Sequence, residues 1–292
     1  MATTSLQLLA PAKLNLFLHI TGRRLDGYHE LQTVFQLLDY GDSMTFTLTT
    51  DSTLSLHVQT PALHQQTKGL DEPLPLESNL IMRAAHLLRE QAQGSLPGVR
   101  ITLNKRLPAG AGLGGGSANA AITLVALNQL WGLALARSDL ARLGASLGAD
   151  VPVFIEGKSA WAEGIGDRLT PIELPAAWYL VITPPCVVST ADVYCHEDLT
   201  RNTSAIKMAD FLAGGVRNDC EAVTRKLFPE VASALDWLQN FAEARMTGTG
   251  ASVFAAFADE VEAQKVLKKM PTEWHGFVAR GLNSLAHSTD GN

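Results

Sequence analysis

PAGAGLGGGSANAA, residues Pro108 to Ala121, decides the reading of this chain. Before it, Val99, Ile101 and Leu103 alternate with Arg100, Thr102 and Asn104, the period-2 pattern of a strand with one buried face. After it, Ala121, Ile122, Val125 and Leu130 recur at helical spacing, and Ser117 is placed to cap that helix. The order is therefore strand, glycine-rich loop, helix. Such a loop lets backbone approach a ligand and turn its N–H groups inward. The helix N-terminus adds unpaired donors and the positive end of its dipole. Together these favour a phosphate.

Three familiar glycine-loop readings fail here. A Walker-type loop ends in Gly-Lys-Ser/Thr, whereas Gly116 runs directly into Ser117. Gly110, Gly112 and Gly115 match the dinucleotide fingerprint by letters, but that fold needs a second strand with an acidic residue about 20 positions on. Residues 118–148 instead read as two alanine- and leucine-rich helices. A flexible linker would mix Gly with Ser rather than wedge glycines between two amphipathic elements. What is left is a phosphate-binding loop of another kind.

The chain around the loop has 292 residues, 46% hydrophobic and 18% charged, enough for one or two domains with a sizeable core. A formal charge of −6 argues against a non-specific polyanion binder, so a phosphate site has to be local. Three cysteines without CxxC spacing indicate neither a disulfide frame nor a zinc site. No signal-like or membrane-spanning pattern stands out, and the simplest expected location is the cytoplasm.

Upstream, residues 6–20 read as a strand. Leu14, Leu16, Leu18 and Ile20 lie on one face, with Lys13, Asn15, Phe17 and His19 on the other. Spacing alone favours an exposed edge strand over a site for Lys13 and Asn15. Next, Arg23, Arg24, Asp26, Tyr28 and His29 crowd a turn at Asp26-Gly27, which reads equally as a solvated tip or as a surface for a flat ring. Strands are expected at 32–39, 44–50 and 53–59, with a break at Gly41-Asp42, then an irregular loop at 60–77 and a helix capped by Ser78 or Asn79.

Downstream, Ser138 is expected to cap a helix ending at Gly148, which sets Asp150 just past a helix C-terminus. The dipole disfavours a carboxylate there, so Asp150 either is satisfied by its turn or serves a site that needs it. Strands follow at 159–163, 168–174 and 178–183. Pro184-Pro185 marks a candidate boundary between domains 1–184 and 185–292. Helices at 207–213, 219–227 and 230–243, the turn RMTGTGAS (Arg245–Ser252), a strand Val253–Phe257, a helix 259–269 and a strand 274–280 suggest a ferredoxin-like layer. Residues 282–292 read as a frayed tail.

Three stretches together carry a resemblance: PAKLNLFLHITGRRLDGYHEL (Pro11–Leu31), PAGAGLGGGSANAA and RMTGTGAS. In order and spacing they resemble the three motifs of the GHMP kinases, named for galactokinase, homoserine kinase, mevalonate kinase and phosphomevalonate kinase. The first motif resembles the branch that phosphorylates the 2-hydroxyl of a cytidyl-diphosphate-linked methylerythritol in the non-mevalonate isoprenoid route. Ala118 stands where a second serine is frequent in the family, and Tyr194 where phenylalanine is.

The resemblance implies an α+β fold of two domains, the first like ribosomal protein S5 domain 2 and the second ferredoxin-like. It implies ATP as co-substrate, Mg2+ as its counter-ion and a small-molecule partner, with neither nucleic acid nor membrane. Asp150 falls on the family's catalytic aspartate and Lys13 on its partner lysine. Asn15 falls beside the polyol; Tyr28, His29 and Tyr194 fall on residues that hold the cytosine, with Thr190 nearby. The implied ATP site comprises Pro108, Ala109, Gly110, Ala111, Gly112, Leu113, Gly114, Gly115, Gly116, Ser117 and Ala118, with Asn79, Leu80 and Lys105 lining the adenosine pocket. No protein ligand to the metal is implied. Another GHMP kinase, or a non-catalytic S5-like binding module, is the alternative; Tyr28, His29 and Tyr194 argue against the first, and Lys13 with Asp150 against the second.

Overall fold

The computed structural model describes residues 4–60 and 78–285. Two long antiparallel strands, β1 (Ser5–Arg23) and β2 (His29–Thr49), begin the fold and pair from Ser5 opposite Thr47 to Arg23 opposite His29. Contrary to the sequence expectation, β2 runs unbroken through Gly41-Asp42. A Cβ on Gly41 would collide with the Ala10 carbonyl oxygen, so this glycine serves a close crossing of β1 and not a turn. The irregular loop expected at 60–77 lies, from 61 onward, outside the described residues.

The rest of the first half is β3 (Leu54–Gln59), α1 (Leu80–Arg89), β4 (Gly98–Asn104), α2 (Gly115–Leu130), α3 (Arg137–Ala145), α4 (Val151–Glu156), β5 (Ala160–Glu163) and β6 (Arg168–Pro171). β4 lies between β2 and β3, antiparallel to the first and parallel to the second. The helices cover this sheet, and their shared core includes Phe46, Ile81, Leu88, Ile101, Leu124 and Phe154. α2 is the central helix. Ala118 to Leu124 are all buried, together with Ala126 and Leu127, so it is enclosed on nearly every side and not merely amphipathic.

The second half contains β7 (Trp178–Thr183), α5 (Thr190–Cys195), α6 (Met208–Leu212), α7 (Glu221–Leu227), α8 (Pro229–Gln239), β8 (Ala244–Met246), β9 (Val253–Phe257), α9 (Glu260–Leu267) and β10 (His275–Leu282). Its strand order is β10-β7-β9-β8. With α8 and α9 as the connecting helices, this is the βαββαβ ferredoxin-like pattern. The fold class is thus α+β. Two short pairings, Gly281 opposite Leu38 and Leu282 opposite Leu37, join the halves into one ten-stranded sheet. Leu282 therefore closes a strand, and Leu285 is buried, where the sequence suggested fraying; residues 286–292 lie outside the described residues.

β1 belongs to both halves. After Asn15 its register with β2 shifts, and its freed groups turn to the second half. Leu18 N–H donates to the Arg217 carbonyl (3.1 Å), Asp219 N–H donates to Leu18 (2.8 Å), and Ile20 N–H donates to the Asp219 carboxylate (2.8 Å). Leu14 of β1, Leu107, Ala111 and Leu113 of the glycine loop, and Phe254 and Phe277 of the second half share one apolar cluster. That cluster seats the loop against both halves. Among the described residues, no helix is long and apolar enough to cross a membrane.

Candidate active site

The loop builds the first wall. α2 starts at Gly115, with Gly114 as its N-cap in the left-handed region at φ 73°; Ser117, expected as the cap, lies inside the first turn. The early N–H groups of α2 have no intrahelical acceptor and are available to an anion. Gly114 is constrained twice, since a Cβ there would lie 2.8 Å from Phe154 Cζ and 3.1 Å from Lys13 Cγ. At Gly112 a Cβ would collide with the Thr247 carbonyl. Ala111, Leu113 and Ala118 are buried, so these positions can offer a ligand their backbone only.

Lys13 and Asp150 form the centre. Lys13 Nζ lies 3.2 Å from Asp150 Oδ2 and donates to Asn15 Oδ1 at 2.6 Å. The ammonium also sits over the Phe35 ring, 5.3 Å from its centroid. The exposed edge strand suggested by spacing is therefore overturned. Lys13 and Asn15 are each 3% exposed, because the glycine loop docks on β1 through a Lys13 N–H bond to the Leu113 carbonyl (3.0 Å). A lysine this deep has to be paired to remain charged. The Asp150 side chain keeps 32% of its surface open to the cleft.

The expected position of Asp150 also needs correction. α3 spans Arg137–Ala145 with Ala136 as cap, so Ser138 lies inside it and Gly148 beyond it. Asp150 instead precedes α4, at a helix N-terminus, where the dipole favours a carboxylate. The energetic conflict read from the sequence is absent.

Thr247, from RMTGTGAS, completes this centre and was missed as a site residue. Its hydroxyl accepts from Asn15 N–H (2.9 Å) and donates to the Gly112 carbonyl (3.2 Å), so all three sequence motifs meet within hydrogen-bond distance. Thr33, also missed, accepts from Asn15 Nδ2 at 2.9 Å. Motif membership was the available signal for Thr247; Thr33 carried none.

A cleft of about 680 Å3 runs from Gly112, Gly114 and Ser117, past Lys13, Asn15 and Asp150, to Tyr28, His29, Thr190 and Tyr194. At its far end Tyr28 is 61% exposed on a turn where Gly27 adopts φ 90°. His29 stacks on Tyr194, with ring centroids 5.0 Å apart and planes 28° from parallel. Burial, then the nearby charges of Arg201 and Arg23, lower the His29 pKa; burial raises that of the Tyr194 phenol. Thr190 Oγ1 lies 3.1 Å from Thr249 Oγ1, which ties α5 to the third motif.

Residues 79–158 match the GHMP kinases N terminal domain and residues 199–276 match GHMP kinases C terminal. A protein of Alkalilimnicola ehrlichii named 4-diphosphocytidyl-2-C-methyl-D-erythritol kinase is 53% identical, over 94% of this chain and 90% of its own length. One of the same name from Hahella chejuensis is 48% identical, over 97% and 95%. The chain belongs to the 4-diphosphocytidyl-2-C-methyl-D-erythritol kinase family of GHMP kinases. A crystal structure of 4-(cytidine 5'-diphospho)-2C-methyl-D-erythritol kinase superimposes with a TM-score of 0.77 at 33% identity, covering 94% of this chain and 99% of that one.

In this GHMP kinase the residues assigned to adenosine do not line the cleft just described, but Lys105 Nζ and Leu80 Cδ1 lie against the start of α2, 3.4 and 3.5 Å from where Cβ atoms on Gly115 and Gly116 would be. Asn79 uses its side chain as the N-cap of α1, accepting from Ile81 N–H at 2.9 Å, and Leu80 follows it. Lys105 is held by Asp42, Nζ to Oδ2 at 2.7 Å. Asp42 is fully buried and also accepts from the N–H groups of Arg106 (2.7 Å) and Leu107 (2.8 Å) and from Asn119 Nδ2 (3.0 Å). One carboxylate thus ties the entrance of the glycine loop to α2. The sequence hid it, because Asp42 reads as half of a turn.

Proposed function

We infer that this chain uses ATP to phosphorylate the 2-hydroxyl of 4-diphosphocytidyl-2-C-methyl-D-erythritol, the compound for which its relatives are named. One observation carries the reading: a single cleft runs from the glycine loop, past a lysine–aspartate pair, to an aromatic and imidazole end. A phosphoryl donor, a reacting alcohol and a base can lie along it in that order.

The chemistry follows from the pair. A tertiary alcohol is a crowded nucleophile of high pKa. One Asp150 oxygen faces Lys13, and the exposed part of the carboxylate can take the hydroxyl proton as the substrate's hydroxyl oxygen bonds to the γ-phosphorus. The bond to the β-phosphate oxygen breaks and ADP leaves. Lys13 fixes the carboxylate and offsets charge, and Asn15 and Thr247 hold Lys13's strand against the loop. The backbone donors from Gly112 to Ser117 take the part that a P-loop lysine plays elsewhere.

Magnesium fits as an ion that arrives with the nucleotide. No group of three or more His, Cys, Asp or Glu able to hold a metal occurs among the described residues. Mg2+ needs only one or two protein oxygens besides phosphates and water. The Ser117 hydroxyl, which lines the cleft, would supply one; when bound, the ion would neutralise phosphate charge. We also assign the adenosine to Asn79, Leu80 and Lys105. The partners on this reading are small molecules in the cytoplasm. We also propose two domains, and the pairing of β7 with β9 and β10 supports drawing their boundary before Trp178.

ADP release with the cytidyl substrate, compared with mevalonate, homoserine and galactose, tests the assignment. Turnover is expected with the first alone. Preference for any of the other three would overturn it.

A further inference from the structure

Arg201 lies outside the three motifs and follows α5. Its guanidinium nevertheless makes four bonds at the base end of the cleft. Nη2 donates to the carbonyls of Tyr194 and His196, both at 2.8 Å, and Nη1 donates to that of Leu199 at 3.2 Å. These bonds fold the segment after α5 around the arginine. Nε then reaches across 172 residues of sequence and donates to His29 Nε2 at 3.3 Å.

That last bond has a chemical consequence. A guanidinium has donors only, so the ring nitrogen facing it has to be an unprotonated acceptor. His29 is thereby neutral, with its proton on Nδ1. The same arginine holds the backbone of Tyr194, the ring on which His29 stacks. A flat base would therefore meet an imidazole whose tilt and tautomer are both set from behind.

We propose that Arg201 is a positioning residue for recognition of the nucleobase: it holds His29 as the Nδ1–H tautomer against Tyr194 and so presents a fixed donor. The proposal rests on the cytidyl reading for its substrate, though not for its geometry. A fixed donor suits the unprotonated N3 of cytosine and opposes the N3–H of uracil, and a site built on such a bond rejects the mismatched analogue. The lowered His29 pKa agrees, since a protonated ring would face the guanidinium with a second positive charge.

Two measurements test it. Nitrogen-15 NMR of the unliganded wild-type protein at neutral pH should show His29 with Nδ1 protonated and Nε2 bare. An Nε2–H tautomer would overturn the proposal whatever the substrate proves to be. In steady-state kinetics, Arg201→Gln should raise the KM for the cytidyl substrate about tenfold, with the KM for ATP changed less than about twofold, and Arg201→Lys should fall between the wild type and Arg201→Gln. In a His29→Ala background the further effect of Arg201→Gln should shrink below about twofold, because its route is gone. An undiminished effect there, or an equal rise in both KM values, would assign Arg201 a general structural role. If wild-type enzyme ignores the cytidyl substrate altogether, the functional reading fails, and the NMR result still decides the geometry.

Discussion

The two ends of the cleft are built in opposite ways. At the chemical end Lys13, Asn15 and Thr247 are buried, and their bonds to one another and to the glycine loop come from three distant parts of the chain. At the base end Tyr28 and Leu25 project from an exposed turn, held by an Arg24–Asp26 pair with both side chains nearly half exposed. Exposed pairs of this kind contribute little to stability. Rigidity is thus concentrated at the end to which we assign phosphoryl transfer. The binding end combines one clamped stack with one open aromatic. Damage to the first end should therefore appear in turnover, and damage to the second in substrate affinity.

The largest effect should come from the central pair. Asp150→Asn and Lys13→Ala are each expected to lower kcat by about 100-fold or more, the scale of a lost acid–base group, while ATP still binds by calorimetry. Near wild-type turnover in Asp150→Asn would remove the chemical end from the comparison.

Next in size is the loop, where the structure separates two neighbouring glycines that look alike in sequence. Gly114→Val has to adopt a positive φ and push aside Phe154, which together cost about 2–5 kcal/mol. Gly115 has no positive φ, and its nearest Cβ neighbours are at 3.4 Å, so Gly115→Ala should be mild. Thermal melts and ATP titrations of the two variants should diverge. Equal losses would mean that the loop tolerates no side chain anywhere.

At the base end, Tyr194→Ala and Tyr28→Ala should each raise the KM for the cytidyl substrate about tenfold, consistent with roughly 1–3 kcal/mol for one stacked base, with little change for ATP. The uridyl analogue should be a poorer substrate.

The smallest effect is with pH. Burial, Arg201 and Arg23 hold the His29 pKa below the ordinary 6.5. A folded-state value below the unfolded one means that this contribution is intact above pH 6.5 and is lost as pH falls through the lower, folded value. Substrate affinity should weaken over the same acidic range, and this component should disappear in His29→Ala.

Much of this arrangement was legible in the sequence. The period-2 run before Pro108 and the glycines after it located the loop and its strand, and the strand Val253–Phe257 was read to the residue. Local patterns failed where a distant contact decided the outcome. Gly41-Asp42 carries turn residues, yet its glycine admits β1 and its aspartate collects four donors from the loop and α2. Lys13 and Asn15 look solvated by alternation and are buried by a loop about 100 residues away. Asp150 was set at the wrong helix end because α3 stops at Ala145 without a strong punctuating residue. Arg201 carries no local signal, since its role exists only in the partners that the fold supplies.

The division of labour between the two ends is tested most directly by kcat and KM for the Asp150→Asn/Tyr194→Ala double variant beside both single variants. The account predicts that the double variant combines the kcat of Asp150→Asn with the cytidyl-substrate KM of Tyr194→Ala, the independence expected of separate sites. If Tyr194→Ala alone lowered kcat as far as Asp150→Asn does, or if the double variant were no worse than either single one, the cleft would act as one unit and the account would be contradicted.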